Sequence, residues 1–293
     1  MTPRRGTNVA LGTLKVPKAT FVSVGWRVVY VVLVAVPLLC ALVGPVVATY
    51  APEGTQAPFG PSAWSPFGTD RLGRDVLAAA LTGGHTLVLT TAVTVLCSYA
   101  LGFTIGMAAA STRWSWLEDL IMRPIDVLLC LPSLLIIMVA ALRSQGSAVA
   151  IAVAVGFALL APITRFVRMA ARDVVSGPVM DALRMQGASR WYRYGRYAAR
   201  EIARPVAADL GVRIAAAIYF LTSANFLGIG FDTTSPDWAV SVAANKDGLA
   251  AVPWSVFLPG GLIVMLVVGI NLLWDDLLAD PRRLAVRDAI RHG

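Results

Sequence analysis

Six apolar runs, each close to the thickness of a bilayer, limit what this chain can fold into. A helix needs about 20 predominantly apolar residues to cross the hydrocarbon core. Residues 28–47, 87–110, 120–141, 149–167, 214–231 and 256–278 each approach that length. Lipid offers no water to pair with backbone N–H and C=O groups, so each run folds as a helix that pairs its own. Charged residues make up 14% of the chain, against roughly 25% in a soluble domain. Most of the surface therefore faces something other than water. The expected fold class is all-α: a polytopic membrane helical bundle of six transmembrane helices. Residues 1–27 form an amino-terminal tail, 28–278 the membrane domain and 279–293 a carboxyl-terminal tail.

Arginine placement sets the orientation. Arg4, Arg5, Lys15, Lys18 and Arg27 precede the first run. That run is longer than a signal-peptide core and lacks a clean small-x-small cleavage site, so it reads as a retained span. A basic amino terminus is expected on the cytoplasmic side, and six spans return the carboxyl terminus there. Residues 172–205 then form a cytoplasmic loop holding Arg172, Arg184, Arg190, Arg193, Arg196, Arg200 and Arg204, and the tail adds Arg282, Arg283, Arg287 and Arg291. The outer connections hold few bases: Arg71 and Arg74 in the loop 51–82, Arg143, and Lys246. This asymmetry follows the positive-inside rule. It also accounts for the net charge of +8, so no nucleic-acid partner is invoked. Arg123, Asp126, Arg165 and Arg168 fall near span ends, where they are expected to snorkel to the interface.

Several functions are excluded by what is missing. A P-loop needs a lysine directly after its glycine-rich turn, but Lys15, Lys18 and Lys246 each follow another residue type. This chain supplies no Walker-type ATPase. Ion-driven transporters bury acidic relays at mid-membrane; the nearest candidate, Asp126, lies near a span end. Neither Gly-x-Ser-x-Gly nor His-Glu-x-x-His occurs. Cys40, Cys97 and Cys130 fall inside spans at no metal-like spacing and read as buried apolar thiols. His85 and His292 are too few and too separated for a metal centre. What remains is a passive pore half or the membrane subunit of an energised complex.

Residues 176–205, SGPVMDALRMQGASRWYRYGRYAAREIARP, interrupt the apolar pattern and read as helix, turn, helix. Pro178 suits a first helical turn, with Gly177 or Ser176 as cap. Asp181 lies close to the positive helix end, and Gly187 can stop the helix in a left-handed conformation. The helix has roughly 9 residues and is about 13 Å long, too short to stand alone in water. Beyond it, Arg190, Arg193, Arg196, Arg200 and Arg204 step by three or four and share one face of a helix. Anionic headgroups are the favoured partner of that stripe, ahead of acidic residues on an ATPase. Trp191, Tyr192, Tyr194 and Tyr197 fit the same interfacial depth.

Before the second span, residues 67–75 read as a turn-rich helix start, with Thr69 or Asp70 capping and Gly73 turning. Its alternating charges, Asp70, Arg71, Arg74 and Asp75, are expected to pair locally. Asp232, Asp237 and Asp247 are candidates to face a binding protein or a peptide amine. Gly102 and Gly106 form a close-packing motif, and Pro132, Pro162 and Pro259 are candidate kinks.

These motifs together resemble one family. Asp181-Ala182-Leu183-Arg184-Met185-Gln186-Gly187 is similar to the EAA loop of binding-protein-dependent ABC importer permeases. Phe67-Gly68-Thr69-Asp70-Arg71-Leu72-Gly73-Arg74-Asp75-Val76-Leu77 resembles the signature before the second span of the C-type permeases of dipeptide, oligopeptide and nickel importers. Met122-Arg123-Pro124-Ile125-Asp126-Val127-Leu128-Leu129 with Leu131-Pro132 resembles their third-span start. Asn225-Phe226-Leu227-Gly228-Ile229-Gly230 with Pro236-Asp237-Trp238 resembles the close of the fifth. Asn271, Asp275, Leu277, Asp280, Pro281 and Arg282 resemble the end of the sixth. Four positions depart: Asp181 replaces the family's glutamate, Leu183 its second alanine, and Ala199-Arg200 its downstream Leu-Pro.

The resemblance implies a type I ABC importer permease fold in a bacterial inner membrane. It implies no catalytic residue and no cofactor in this chain, with ATP and Mg on partner subunits. The implied partners are a second homologous permease, two cytoplasmic ABC ATPase subunits, an extracytoplasmic substrate-binding protein, a peptide-like substrate and membrane lipid. Asp181, Ala182, Leu183, Gly187, Ala188 and Ser189 would couple to an ATPase. Gly68, Thr69, Asp70, Leu72, Gly73, Arg74 and Asp75 would serve structure first and partner contact second. Dipeptide, oligopeptide, glutathione-like and nickel-chelate cargo all fit. The alternative is a self-sufficient secondary transporter or channel.

Overall fold

Long helices form where the apolar runs place them. The computed structural model describes residues 19–49, 56–144, 147–226 and 237–278. Asp232, residues 227–230 and 236 of the fifth-span motif, and Asp280, Pro281 and Arg282 lie outside the described residues, as do residues 1–18 and the rest of 279–293; residues 19–27, read as tail, are helical. The long elements are α1 (Ala19–Ala48), α2 (Val76–Ser111), α5 (Ala148–Val175), α7 (Ala199–Phe226) and α9 (Trp254–Leu278), with the short α3 (Ser115–Cys130), α4 (Ser133–Arg143), α6 (Pro178–Met185) and α8 (Trp238–Asn245) between them. Among the described residues five helices are long and apolar enough to cross a membrane, and α3 with α4 makes a sixth if that bent pair is one span.

α2 packs most extensively against α5, and α1 lies against α2 and α9. Small residues make the α2–α5 approach possible. A Cβ on Gly102 would stand 2.6 Å from Ile163 Cγ2, and one on Gly106 would stand 2.7 Å from the Thr164 carbonyl oxygen. The expected packing role of this glycine pair is thus realised. α2 begins at Val76, inside the stretch read as external loop, because Asp75 caps it there.

The third expected span is not one rod. α3 and α4 meet at 84°. Pro132 has no N–H to donate and pushes Leu131 out of the helical region; Leu131 sits at φ −83°, ψ 131°. Pro162 and Pro259 lie inside continuous helices. The bend carries the carboxylates of α3 to the arginines of α5. Arg165 Nη1 stands 3.6 Å from Asp126 Oδ1, Arg172 Nη1 donates to Glu118 Oε1 at 2.8 Å, and Arg168 pairs with the same oxygen. Asp126, Arg165 and Arg168 therefore pair between helices instead of snorkelling singly. Cys97 and Cys130, expected to be buried, are exposed on the bundle surface, and Cys40 is half-buried. Apolar groups on this surface meet lipid, so their exposure costs nothing of the kind it would in water.

Candidate functional site

The loop between α5 and α7 is built by local sequence rules. Gly177 at φ −79°, ψ 159° is the N-cap and Pro178 opens α6. At the other end Gly187 takes φ +72°. Its N–H donates to the Arg184 carbonyl at 3.1 Å, and the Ala188 N–H donates to the Leu183 carbonyl at 3.0 Å. That pair of bonds is the Schellman arrangement, which satisfies carbonyls a helix end leaves open.

One side chain seats the helix. Met180 is fully buried among the core residues of the bundle. Arg184 adds two bonds, donating to Asp181 Oδ1 at 2.7 Å and to the Val175 carbonyl at 3.3 Å. Tyr194 beside it, ahead of any other influence that favours the charge, holds the guanidinium pKa above its ordinary value. Everything else on α6 points away from the bundle or only partly into it. Asp181, Met185, Gln186, Gly187 and Ser189 are exposed, and Ala182, Leu183 and Ala188 are half-buried. A Cβ on Gly187 would meet nothing within 4 Å. The residues expected to couple thus lie together on α6 and the turn that follows it, exposed or half-buried.

Ser189 caps the next helical segment, accepting the Tyr192 N–H at 3.2 Å. Trp191–Ala198 is a π-helix that runs into α7 without a break, giving one helical arm over Trp191–Phe226. A π turn is wider than an α turn, so Arg193 and Arg196 fall in a segment that lacks the α spacing from which a single stripe was expected. Arg193 lies 5.5 Å from the Tyr194 ring centre and Arg196 5.9 Å from that of Tyr192; Arg200 and Arg204, on α7 proper, keep one face. The Ala199-Arg200 step is continuous helix.

The segment before α2 is the opposite kind of structure. Thr69 is fully buried; its hydroxyl donates to the Ala57 carbonyl at 2.6 Å and accepts the Gly60 N–H at 2.8 Å. Asp70 Oδ1 accepts the Leu72 and Arg74 N–H groups, each at 2.8 Å. The helix cap is Asp75, not Thr69 or Asp70: its Oδ1 accepts the Ala78 N–H at 3.0 Å, while Oδ2 accepts the hydroxyls of Ser65 at 2.7 Å and of Ser62. Gly68 and Gly73 take positive φ. The Arg71 N–H donates to Asn245 Oδ1 at 2.8 Å, tying the segment to the end of α8.

α8 completes this side. Asp237 is 1% exposed and accepts the Ala239 N–H at 2.9 Å and the Asn225 side-chain amide at 3.1 Å. It is a buried cap, so it does not face a binding protein as expected; burial pushes its pKa up, against the pull of Asn225 and the backbone donors. Trp238 is fully buried and its indole N–H donates to the Ala80 carbonyl at 2.6 Å. Asp247 is exposed.

One constellation escaped the sequence reading. Tyr99 on α2 donates to Asp209 Oδ2 at 2.9 Å, and Arg213 clasps the same carboxylate at 3.0 and 2.9 Å. An aspartate four residues before an arginine was the available signal. The hydropathy pattern begins this span at residue 214 and leaves the pair outside it.

A helical membrane subunit with an exposed, glycine-terminated helix between two long helices is the class this geometry defines. The family model for the inner membrane component of binding-protein-dependent transport systems matches residues 102–278, and the chain belongs to that family. It is 28% identical over 256 residues to the probable D,D-dipeptide transport system permease protein DdpC of Escherichia coli, covering 86% of each chain. It is 28% identical to the di/tripeptide transport system permease protein DppC of Pseudomonas aeruginosa, over 84% of each. With a probable peptide ABC transporter permease protein of Sinorhizobium fredii it shares 30% identity over 76% of each.

Proposed function

We propose that this chain is the permease subunit of an ABC importer for di- or oligopeptides, and that α6 is where ATP-driven motion enters it. The observation behind this is the contrast within α6: Met180 is buried, Ala182, Leu183 and Arg184 are half-buried, and Asp181 and Met185 are exposed. A helix so held is free to seat in a groove of an ATPase subunit, with Ala182, Gly187 and Ala188 allowing close backbone approach. Asp181, Leu183 and Ser189 flank that contact. Closure of two ATPase subunits then pushes on α5 and on the unbroken Trp191–Phe226 arm as a rigid-body switch.

ATP and Mg act on those partners, and this chain performs no chemistry. A second, homologous permease encloses the path, and an extracytoplasmic binding protein delivers the peptide. The α6 side and both termini face the cytoplasm.

The test compares Gly187→Trp with Gly187→Asn in the assembled transporter. Asparagine tolerates the left-handed conformation, so it controls for backbone strain. Gly187→Trp is expected to lower peptide uptake at least tenfold while ATP hydrolysis continues, and Gly187→Asn to keep most uptake. Undiminished uptake by Gly187→Trp sinks the lever. Peptide transport by this chain alone in liposomes, without ATPase subunits, overturns the importer reading.

A further inference from the structure

An apolar groove of about 880 Å³ runs between α2 and α7, with α1 and α9 contributing Leu38 and Leu266. Along α7 it extends from Ala199 to Ile218, about 28 Å at 1.5 Å per residue. That nearly matches a hydrocarbon core of roughly 30 Å. Val95, Ile218 and Leu266 floor it, and Ala100 and Ala203 leave it open to the membrane.

At the end nearer α6 the chemistry changes. Arg200 and Arg204 are exposed, and each follows a groove-lining alanine, Ala199 and Ala203, by one residue. One residue is about 100° of rotation on an α-helix, so Arg200 and Arg204 stand on the face of α7 next to the groove. Neither pairs with a carboxylate among the described residues.

We propose that this groove binds an anionic phospholipid, its acyl chains lying along α2 and α7 and its phosphate held by Arg200 and Arg204. A transmembrane helix of a partner fills an apolar groove but leaves two cations without counter-charge. A soluble partner meets the cations but not an apolar channel of bilayer length. An amphiphile with an anionic head meets both. The site lies in the leaflet on the α6 side, whichever compartment that side faces. It is therefore independent of the coupling role of α6.

The experiment is native mass spectrometry and lipid extraction on the intact transporter complex, washed in mild detergent containing equal anionic and zwitterionic phospholipid of the same chains. Two arginines at a headgroup correspond to roughly a 30-fold preference for the anionic lipid. The expected result is that the unaltered complex shows this preference, R200Q/R204Q loses it while keeping acyl lipid, and Ala203→Phe lowers retention of both lipids. If Ala203→Phe does not assemble, Ala100→Phe fills the groove from α2 instead. Unselective retention by the unaltered complex overturns the proposal. So does unchanged retention in the variants, or recovery of a bound peptide in place of lipid.

Discussion

Two glycines share one backbone conformation and differ in everything around it. Gly73 sits at φ +73° and Gly187 at φ +72°. A Cβ on Gly73 would lie 2.1 Å from the Gln56 carbonyl oxygen, whereas one on Gly187 would meet nothing. The aspartates divide in the same way. Asp70 and Asp75 are buried and committed to backbone N–H and serine hydroxyl groups, while Asp181 is exposed and its carboxylate meets Arg184 three residues on. The segment before α2 is a clasp whose carboxylates are consumed inside it and whose Arg71 N–H ties it to Asn245. The α6 loop has its polar groups turned outward. Two family-like motifs thus differ in structure: one holds its own shape with buried polar groups, and the other leaves its carboxylate and its glycine exposed.

The largest expected effect separates the glycines. Gly73→Val clashes with backbone that cannot move aside, and a loss of about 4 kcal/mol or failure to accumulate is expected. Gly187→Ala carries only the left-handed cost, roughly 1–2 kcal/mol. Thermal unfolding of the purified proteins measures both, and equal losses break the comparison. Asp75→Ala comes next. It removes a cap worth about 1 kcal/mol and leaves two serine hydroxyls without their acceptor at about 1 kcal/mol or more each. Asp181→Ala removes one exposed ion pair and is expected to change stability by less than about 1 kcal/mol.

Met180→Ala sharpens the comparison from the other side. Truncating a buried methionine costs about 2–5 kcal/mol in a fixed core. Here the loss is expected to fall on α6 alone, as local opening. Hydrogen exchange should speed over residues 178–188 and stay unchanged over 56–75. Faster exchange in both would mean that α6 is part of the global core.

Legibility in the sequence tracked the range of the interactions involved. The stop at Gly187 was readable because a Schellman end depends on residues a few places apart. The break at Leu131-Pro132 was written in the sequence too, but the apolar length around it suggested a continuous span. The choice among Thr69, Asp70 and Asp75 as cap depended on Ser62 and Ser65 folding back, which spacing alone does not specify. Asp209 and Arg213 lowered the local hydropathy and pushed the span boundary past them. In the structure each neutralises the other and Tyr99 completes the set.

The smallest expected effect concerns Asp237, which belongs with the clasp by burial but has no serine partner like those of Asp75 among the described residues. Burial is the dominant influence and raises its pKa; the Asn225 amide and the Ala239 and Val240 N–H groups oppose it. A raised folded-state pKa means that the folded protein holds this proton to higher pH than the unfolded chain. Its contribution is therefore fully present below the ordinary aspartate value of about 3.9. It declines as pH climbs from there through the raised value. Asp237→Asn keeps an acceptor oxygen for the cap but has no proton to lose, so its unfolding midpoint should fall less over that range than the unaltered chain's. Identical slopes would show that the cap donors fully offset burial, which would make Asp237 a firmly held carboxylate and extend the clasp across α8.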